Sequence, residues 1–165
     1  MVETASSAKI TLPSDEQILI TREFNAPRHL VYRAWTTPEL VSRWWAGHRG
    51  TTTEVEMDLR PGGRWRYVMK ADVGFEVAFH GEYREIVPDE KIVFTEVFES
   101  GPPLAEPDVP VNTVTFDALD GDRTVVRLLT QTTSKALRDV ILESGMEAGV
   151  QEQLNIIEEL ANSLR

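Results

Sequence analysis

The stretch from Met146 to Leu164 limits what this chain can fold into more than any other. Met146, Val150, Gln153/Leu154, Ile157, Leu160/Ala161 and Leu164 recur at three- and four-residue steps, which draws one apolar stripe along a helix. Glu147, Glu152, Glu158 and Glu159 fall mainly on the opposite side and read as a solvated face. Most of the upstream sequence alternates like strand, so this helix has a sheet to lie on. A long helix laid on a curved sheet either packs shut or leaves a cavity, and that choice is the functional question.

The upstream pattern supplies the sheet. Gln17 to Phe24 alternates, with Ile18, Ile20 and Phe24 on one face and Arg22 as the odd member of that inner set. Asn25-Ala26-Pro27 opens a short helix with Leu30, Val31, Ala34 and Trp35 on its apolar side. Thr37 and Pro38 open a second, with Leu40, Val41, Trp44 and Trp45. Two helices without a strand between them argue against a doubly wound parallel sheet. Strands then follow at 53–59, 64–70, 75–87, 91–98, 111–118 and 123–131. Their turns are Arg60-Pro61-Gly62-Gly63, Ala71-Asp72-Val73-Gly74, Pro88-Asp89-Glu90 and Asp120-Gly121. Pro102, Pro103, Pro107 and Pro110 stiffen the loop 100–110. Gly81, inside the longest strand, predicts a bulge or bend that lets the sheet curl. Ser134 caps a helical turn over 136–142, and Gly149 inside the last helix predicts a close approach or a kink. The expectation is one α+β domain of seven curved antiparallel strands wrapped around the last helix, with two short helices after the first strand. Residues 1–14 read as a flexible lead-in and 15–165 as the domain.

Composition narrows the chemistry. The chain of 165 residues has no cysteine, so disulfides, thiolate metal sites and thiol nucleophiles are excluded. That fits a reducing cytoplasm. A formal charge of -10 opposes nucleic acid and anionic membranes, and Arg60, Arg64, Arg66 and Lys70 are too dispersed among apolar residues to overcome it. No apolar run is long enough for a membrane span, and the N-terminus lacks the basic start and apolar block of a signal peptide.

The order of motifs resembles a known family. Phe24-Asn25-Ala26-Pro27, Val31-Tyr32-Arg33-Ala34-Trp35-Thr36, Trp44-Trp45 and Asp58-Leu59-Arg60-Pro61-Gly62-Gly63-Arg64-Trp65 are followed by Gly81-Glu82-Tyr83-Arg84-Glu85-Ile86. Lys91-Ile92-Val93-Phe94-Thr95 and Ser144-Gly145-Met146-Glu147-Ala148-Gly149 complete the set. This order is similar to the START/Bet v 1-like (SRPBCC) superfamily, in the branch named after the activator of heat shock protein 90 ATPase. The resemblance spans about Ile18 to Leu164. It implies the helix-grip fold, and an apolar pocket that in relatives takes lipids, sterols, polyketides or hormones. Some relatives are cyclases or aromatase-like enzymes, and the eponymous proteins stimulate a chaperone.

Candidate site residues follow from which faces should meet. Trp65, Tyr67 and Met69 share one strand face, and Phe75, Val77 and Phe79 another; if these are concave they meet Met146, Val150, Leu154 and Ile157, or else they simply fill the core. Trp44 and Trp45 point about 100° apart on a helix, so one packs inside while the other can stand at a pocket mouth. Of His29, His48 and His80, none has metal-ligand spacing; His48 is the best placed for a pocket rim. Glu96 shares parity with Ile92, Phe94 and Phe98, which makes it either an acid among apolar neighbours or an edge carboxylate. Arg22 and Arg127 are its candidate partner charges. No catalytic motif, metal site or cofactor motif is present. The leading expectation is binding of a small hydrophobic or aromatic molecule. The alternatives are a co-chaperone-like protein with a chaperone partner, and a cyclase or dehydratase using Glu96 and His48. A homodimer is compatible with the sequence, which does not fix it.

Overall fold

The computed structural model describes residues 7–99, 108–120 and 122–165. Nine strands form one sheet: β1 (Lys9–Thr11), β2 (Gln17–Phe24), β3 (Gly50–Met57), β4 (Arg64–Ala71), β5 (Glu76–Val87), β6 (Lys91–Thr95), β7 (Val97–Phe98), β8 (Val111–Leu119) and β9 (Arg123–Gln131). The helices are α1 (Arg28–Thr36), α2 (Pro38–Trp44), α3 (Lys135–Glu143) and α4 (Met146–Ser163). Across the sheet the order is β1-β2-β9-β8-β6-β5-β4-β3, with β7 paired to β5 off that path. Every strand pairing described is antiparallel, as hairpin connections require.

Among the described residues the strands number nine, where seven were expected. One addition, β1, lies inside the segment expected to be a loose lead-in, and pairs Ile10 with Ile20 of β2. Three residues are too few to show alternation, so only the tertiary pairing reveals it. The other comes from splitting the expected strand 91–98: β6 pairs with β8, while β7 turns to pair Phe98 with Phe79. The helical turn after Ser134 is a full helix, α3, whose first turn is capped by the Leu137 N–H donating to Ser134 Oγ (3.1 Å). Thr37 caps α2 with its backbone carbonyl, not with its hydroxyl. The expected turn at Asp120-Gly121 joins β8 to β9, though Gly121 itself, like most of the proline-rich loop, lies outside the described residues.

Gly81 sits where β5 changes partners. Phe79 and His80 pair with β7, whereas Tyr83 onward pairs with β6, with a register shift before Glu85. A Cβ at Gly81 would lie 1.8 Å from the Thr95 carbonyl oxygen and 2.5 Å from Trp65 Nε1. That close approach lets Trp65 Nε1 donate to the Thr95 carbonyl (3.1 Å) and the Glu82 N–H donate to Thr95 Oγ1 (2.9 Å). The bend is therefore held by side-chain bonds across it.

The core fills one half of the grip. Leu154, Ile157, Leu160 and Ala161 of α4 are buried with Val31, Ala34, Val114, Phe116 and Val126. Phe116 takes the edges of Tyr32 (centroids 5.4 Å) and Trp35 (5.6 Å). Arg22, only 1% exposed, lies over the Phe24 ring and pairs with Glu158 of α4 at 3.5 Å. Glu158 Oε2 also accepts from the Asn25 N–H at 2.8 Å. Glu158 thus leaves the solvated face expected for it, because the inward parity of Arg22 on β2 demands a carboxylate from the helix.

Candidate functional site

The first half of α4 has different surroundings. Met146, Val150 and Gln153 are half-buried, whereas Leu154 and Ile157 one turn on are fully covered. The sheet carries an aromatic wall built from four strands. Trp65 and Tyr67 of β4 pack at 4.8 Å, Trp65 meets Phe94 of β6 at 5.6 Å, and Phe79 of β5 meets Phe98 at 5.0 Å. Trp45 joins the wall to the helix. Its ring stands edge-on to Tyr67 (5.5 Å) and Phe79 (5.9 Å), and its carbonyl accepts from the Gln153 side-chain amide. The wall runs from Trp65, 4% exposed, outward to Phe98, 44% exposed. Edge-to-face pairs contribute about 0.5–1.5 kcal/mol each, so the wall keeps its shape without a ligand.

Charged side chains hold the helix start in place. A Cβ added at Gly149 would lie 3.5 Å from the Arg49 guanidinium, which donates to the Gly145 carbonyl (3.4 Å) and pairs with Glu152 (3.4 Å). The close approach at Gly149 is thus to a guanidinium. On the outer face Arg66 grips both oxygens of Glu99 (2.8 and 2.9 Å) and one of Glu54 (2.7 Å), and His80 Nδ1 meets Glu99 at 2.9 Å. The Arg66 guanidinium holds the Glu99 carboxyl down at about 2. These bonds fasten Glu99, just after β7, to Arg66 of β4 and His80 of β5.

A polar seam crosses the floor of the sheet. Asn112 of β8 and Thr130 of β9 are buried, and Thr130 Oγ1 donates to Asn112 Oδ1 (2.6 Å). Glu96, between β6 and β7, is bonded by Asn112; burial pushes its carboxyl above the usual carboxylate range and the Asn112 bond opposes that rise. Burial also pushes the Tyr67 phenol well up, with Tyr83 and Glu96 adding to the shift. Tyr83 is pushed up to about 12 by burial, against the pull of Tyr67. The two phenols influence each other, yet the Tyr83 hydroxyl has no partner of normal hydrogen-bonding geometry.

The Glu96 shift has a measurable consequence. A folded-state pKa above the unfolded one contributes stability that is full below the unfolded pKa and is lost as pH rises through the folded pKa. Glu96→Gln keeps an oxygen for Asn112 but removes the titration. Urea unfolding between about pH 4 and about pH 8 is expected to show the wild type losing stability relative to this variant as pH rises. Parallel curves would reject a buried Glu96 carboxyl.

The model of the family described as Activator of Hsp90 ATPase homolog 1-like protein matches residues 25–162. The chain belongs to this family. Its fold is similar to that of a Mycobacterium smegmatis protein at 26% identity and TM-score 0.81, covering 93% of this chain and 96% of that one. A Rhodobacter sphaeroides protein matches at 18% identity and TM-score 0.85, covering 95% and 99%. An Arthrobacter aurescens protein matches at 24% identity and TM-score 0.81, covering 94% and 91%. No match is found among curated proteins. The chain thus has the helix-grip architecture of the SRPBCC superfamily, and none of its described helices is long and apolar enough to cross a membrane.

Within this Activator of Hsp90 ATPase homolog 1-like fold, the expected site residues separate into two groups. Trp45, Trp65, Tyr67 and Phe79 are joined by ring contacts, Glu96 lies near Tyr67, Met146 and Val150 pack half-buried against the core, and Leu154 and Ile157 are buried within it. Trp44 turns away: its Nε1 donates to the Ala34 carbonyl (2.9 Å) and its ring packs on Trp35. His48 is exposed, Met69 is half-buried outside the core cluster, and Phe75 is exposed at the β4–β5 turn. The partner charges proposed for Glu96 are engaged elsewhere, Arg22 with Glu158 and Arg127 with Asp117 at 2.9 Å. Tyr83, Phe94, Asn112 and Thr130 were missing from the expected set. Their signal was present as inward parity, most plainly at Asn112, which shares its strand face with Val114 and Phe116. A shallow depression of 540 Å³ at the β3 edge, lined by Thr51, Thr53, Lys70, Ala71, Asp72 and Gly74, has no aromatic wall.

Proposed function

We propose that the protein binds a small hydrophobic or aromatic molecule between the aromatic wall and the first half of α4. One observation carries this reading: Trp45, Phe79, Phe94, Met146 and Val150 pack against the buried core yet stay half-buried. Apolar surface left uncovered beside the core is what a mostly apolar site with few polar groups requires. The accessibility left at Glu96, together with the burial that raises its carboxyl, fits a side chain on the wall of an interior space. No catalytic step is assigned, since His48 is exposed and the acid–histidine pair imagined for a cyclase has no geometric support. The co-chaperone reading rests on the family's description alone.

Titration with the neutral fluorophore 1-aminoanthracene, read through quenching of tryptophan emission, tests the binding. Saturable binding is expected. Met146→Arg sets a guanidinium against the apolar site at a half-exposed position where the fold tolerates it, and is expected to weaken binding about tenfold or more, about 1.4 kcal/mol. Its thermal midpoint should stay close to that of the wild type. Absence of saturation in the wild type, or full affinity in the variant, would overturn the reading.

A further inference from the structure

We infer that the bound molecule is a lipophilic amine, an apolar body whose ammonium group donates to the Glu96 carboxylate. This rests on the binding site proposed above and adds the charge of one end of the ligand. Glu96 lies in the chain between Phe94 and Phe98, whose rings pack on Trp65 and Phe79 of the aromatic wall. It is half-buried there, so its side chain keeps surface that a ligand can touch. Its support from below is fixed. Asn112 is buried, and its Oδ1 accepts from Thr130 Oγ1 at 2.6 Å, which leaves the Asn112 amide N–H to bond Glu96. That bond favours the ionised form of Glu96, as a donated N–H does.

What Glu96 lacks is a counter-charge. A carboxylate drawn out of water is costly unless a cation or several N–H groups face it. Among the described residues no cation acts on it: burial pushes its carboxyl up, and the Asn112 bond opposes that rise. The buried cations among those residues are committed to other carboxylates, Arg22 to Glu158 and Arg138 to Asp139. Residues 1–6, 100–107 and 121 hold no lysine, arginine or histidine. The remaining source of a cation is the ligand. A carboxylate ligand would repel Glu96, and a neutral hydroxyl would leave its charge uncompensated. The rings of Trp45, Tyr67 and Phe79 meet edge to face and do not open as a cation cage. The wall therefore takes the apolar body, and Glu96 takes the ammonium. The formal charge of -10 also draws cations to the protein.

Four probes on one bicyclic body test this by calorimetry near neutral pH: 1-aminotetralin, 1-tetralol, tetralin and tetralin-1-carboxylic acid. The amine is expected to bind the wild type about tenfold more tightly than tetralin, and the acid more weakly than either. Glu96→Gln keeps the size of the side chain and an oxygen for Asn112. It is expected to lose about tenfold in affinity for the amine and none for tetralin. The wild-type ranking decides the case without any variant, since an acid bound as tightly as the amine overturns the inference. Amine affinity that is equal in Glu96→Gln and wild type, while tetralin still binds, would overturn it and leave the binding site standing. A loss for 1-tetralol as large as that for the amine would make Glu96 a neutral hydrogen-bond partner and overturn the charge assignment. Failure of all four probes to bind the wild type would remove the site and this inference with it.

Discussion

Glu158→Ala is expected to destabilise the protein by about 3 kcal/mol, the low end of the range for removing one partner of a buried ion pair. Arg22 is 1% exposed and Glu158 provides the carboxylate facing it from α4, with a side chain that is itself 16% exposed. Burial lowers the Arg22 pKa and Glu158 counters it, so the helix carboxylate helps keep the guanidinium charged inside the fold. The same carboxylate accepts from the Asn25 N–H, so its loss also loosens the entry to α1. A fall in the thermal midpoint of about 6–12 °C should accompany the change. Arg22→Met combined with Glu158→Leu is expected to recover more than half of the loss, since apolar replacement of a buried pair is often neutral. Urea unfolding decides the matter. A single-variant loss below about 1 kcal/mol, the size of an exposed pair, would show that the interaction is screened by solvent.

Gly81→Ala is expected to cost about 3 kcal/mol or more, at the upper end for overpacking. The added methyl meets the Thr95 carbonyl at 1.8 Å, which is backbone and cannot rotate away, and Trp65 Nε1 at 2.5 Å. Relief requires separating β5 from the β6–β7 junction and breaking the Trp65–Thr95 bond. Because Trp65 anchors the inner end of the aromatic wall, near-ultraviolet circular dichroism should lose intensity even below the unfolding transition. Wild-type stability and spectrum in this variant would mean that the strand slides without penalty.

Much of the architecture was legible because period and turn chemistry are local. The 3.6-residue stripe of α4, the alternation of β2, β4 and β8, and the Gly-rich and Asp-Gly turns each follow from neighbours in sequence. The family resemblance joined them into a helix grip, which the match over residues 25–162 supports. Elements made by long-range pairing were not legible: β1 exists because Ile10 finds Ile20, and β7 because Phe98 finds Phe79.

The site divides along the same line. Parity marks which side chains point inward, and so Trp65, Tyr67, Phe79 and the α4 stripe could be nominated from sequence. Parity does not say how far inward space extends, which is why Trp44 closes on Trp35 while its neighbour Trp45 stands against Tyr67. Nor does it assign partners to charges. Arg22 was legible as an inward arginine, but only the approach of α4 to β2 gave it Glu158 instead of Glu96.

The sequence by itself determined the periods, the turns, the placement of Gly81 and the family, because these depend on contacts within a few residues or on their order. Only the tertiary structure decided that Leu154, Ile157, Leu160 and Ala161 of α4 are buried while Met146 and Val150 stay half-buried. Burial of a side chain is a property of everything that surrounds it, and the groups around Tyr67, Tyr83 and Glu96 come from strands far apart in the chain.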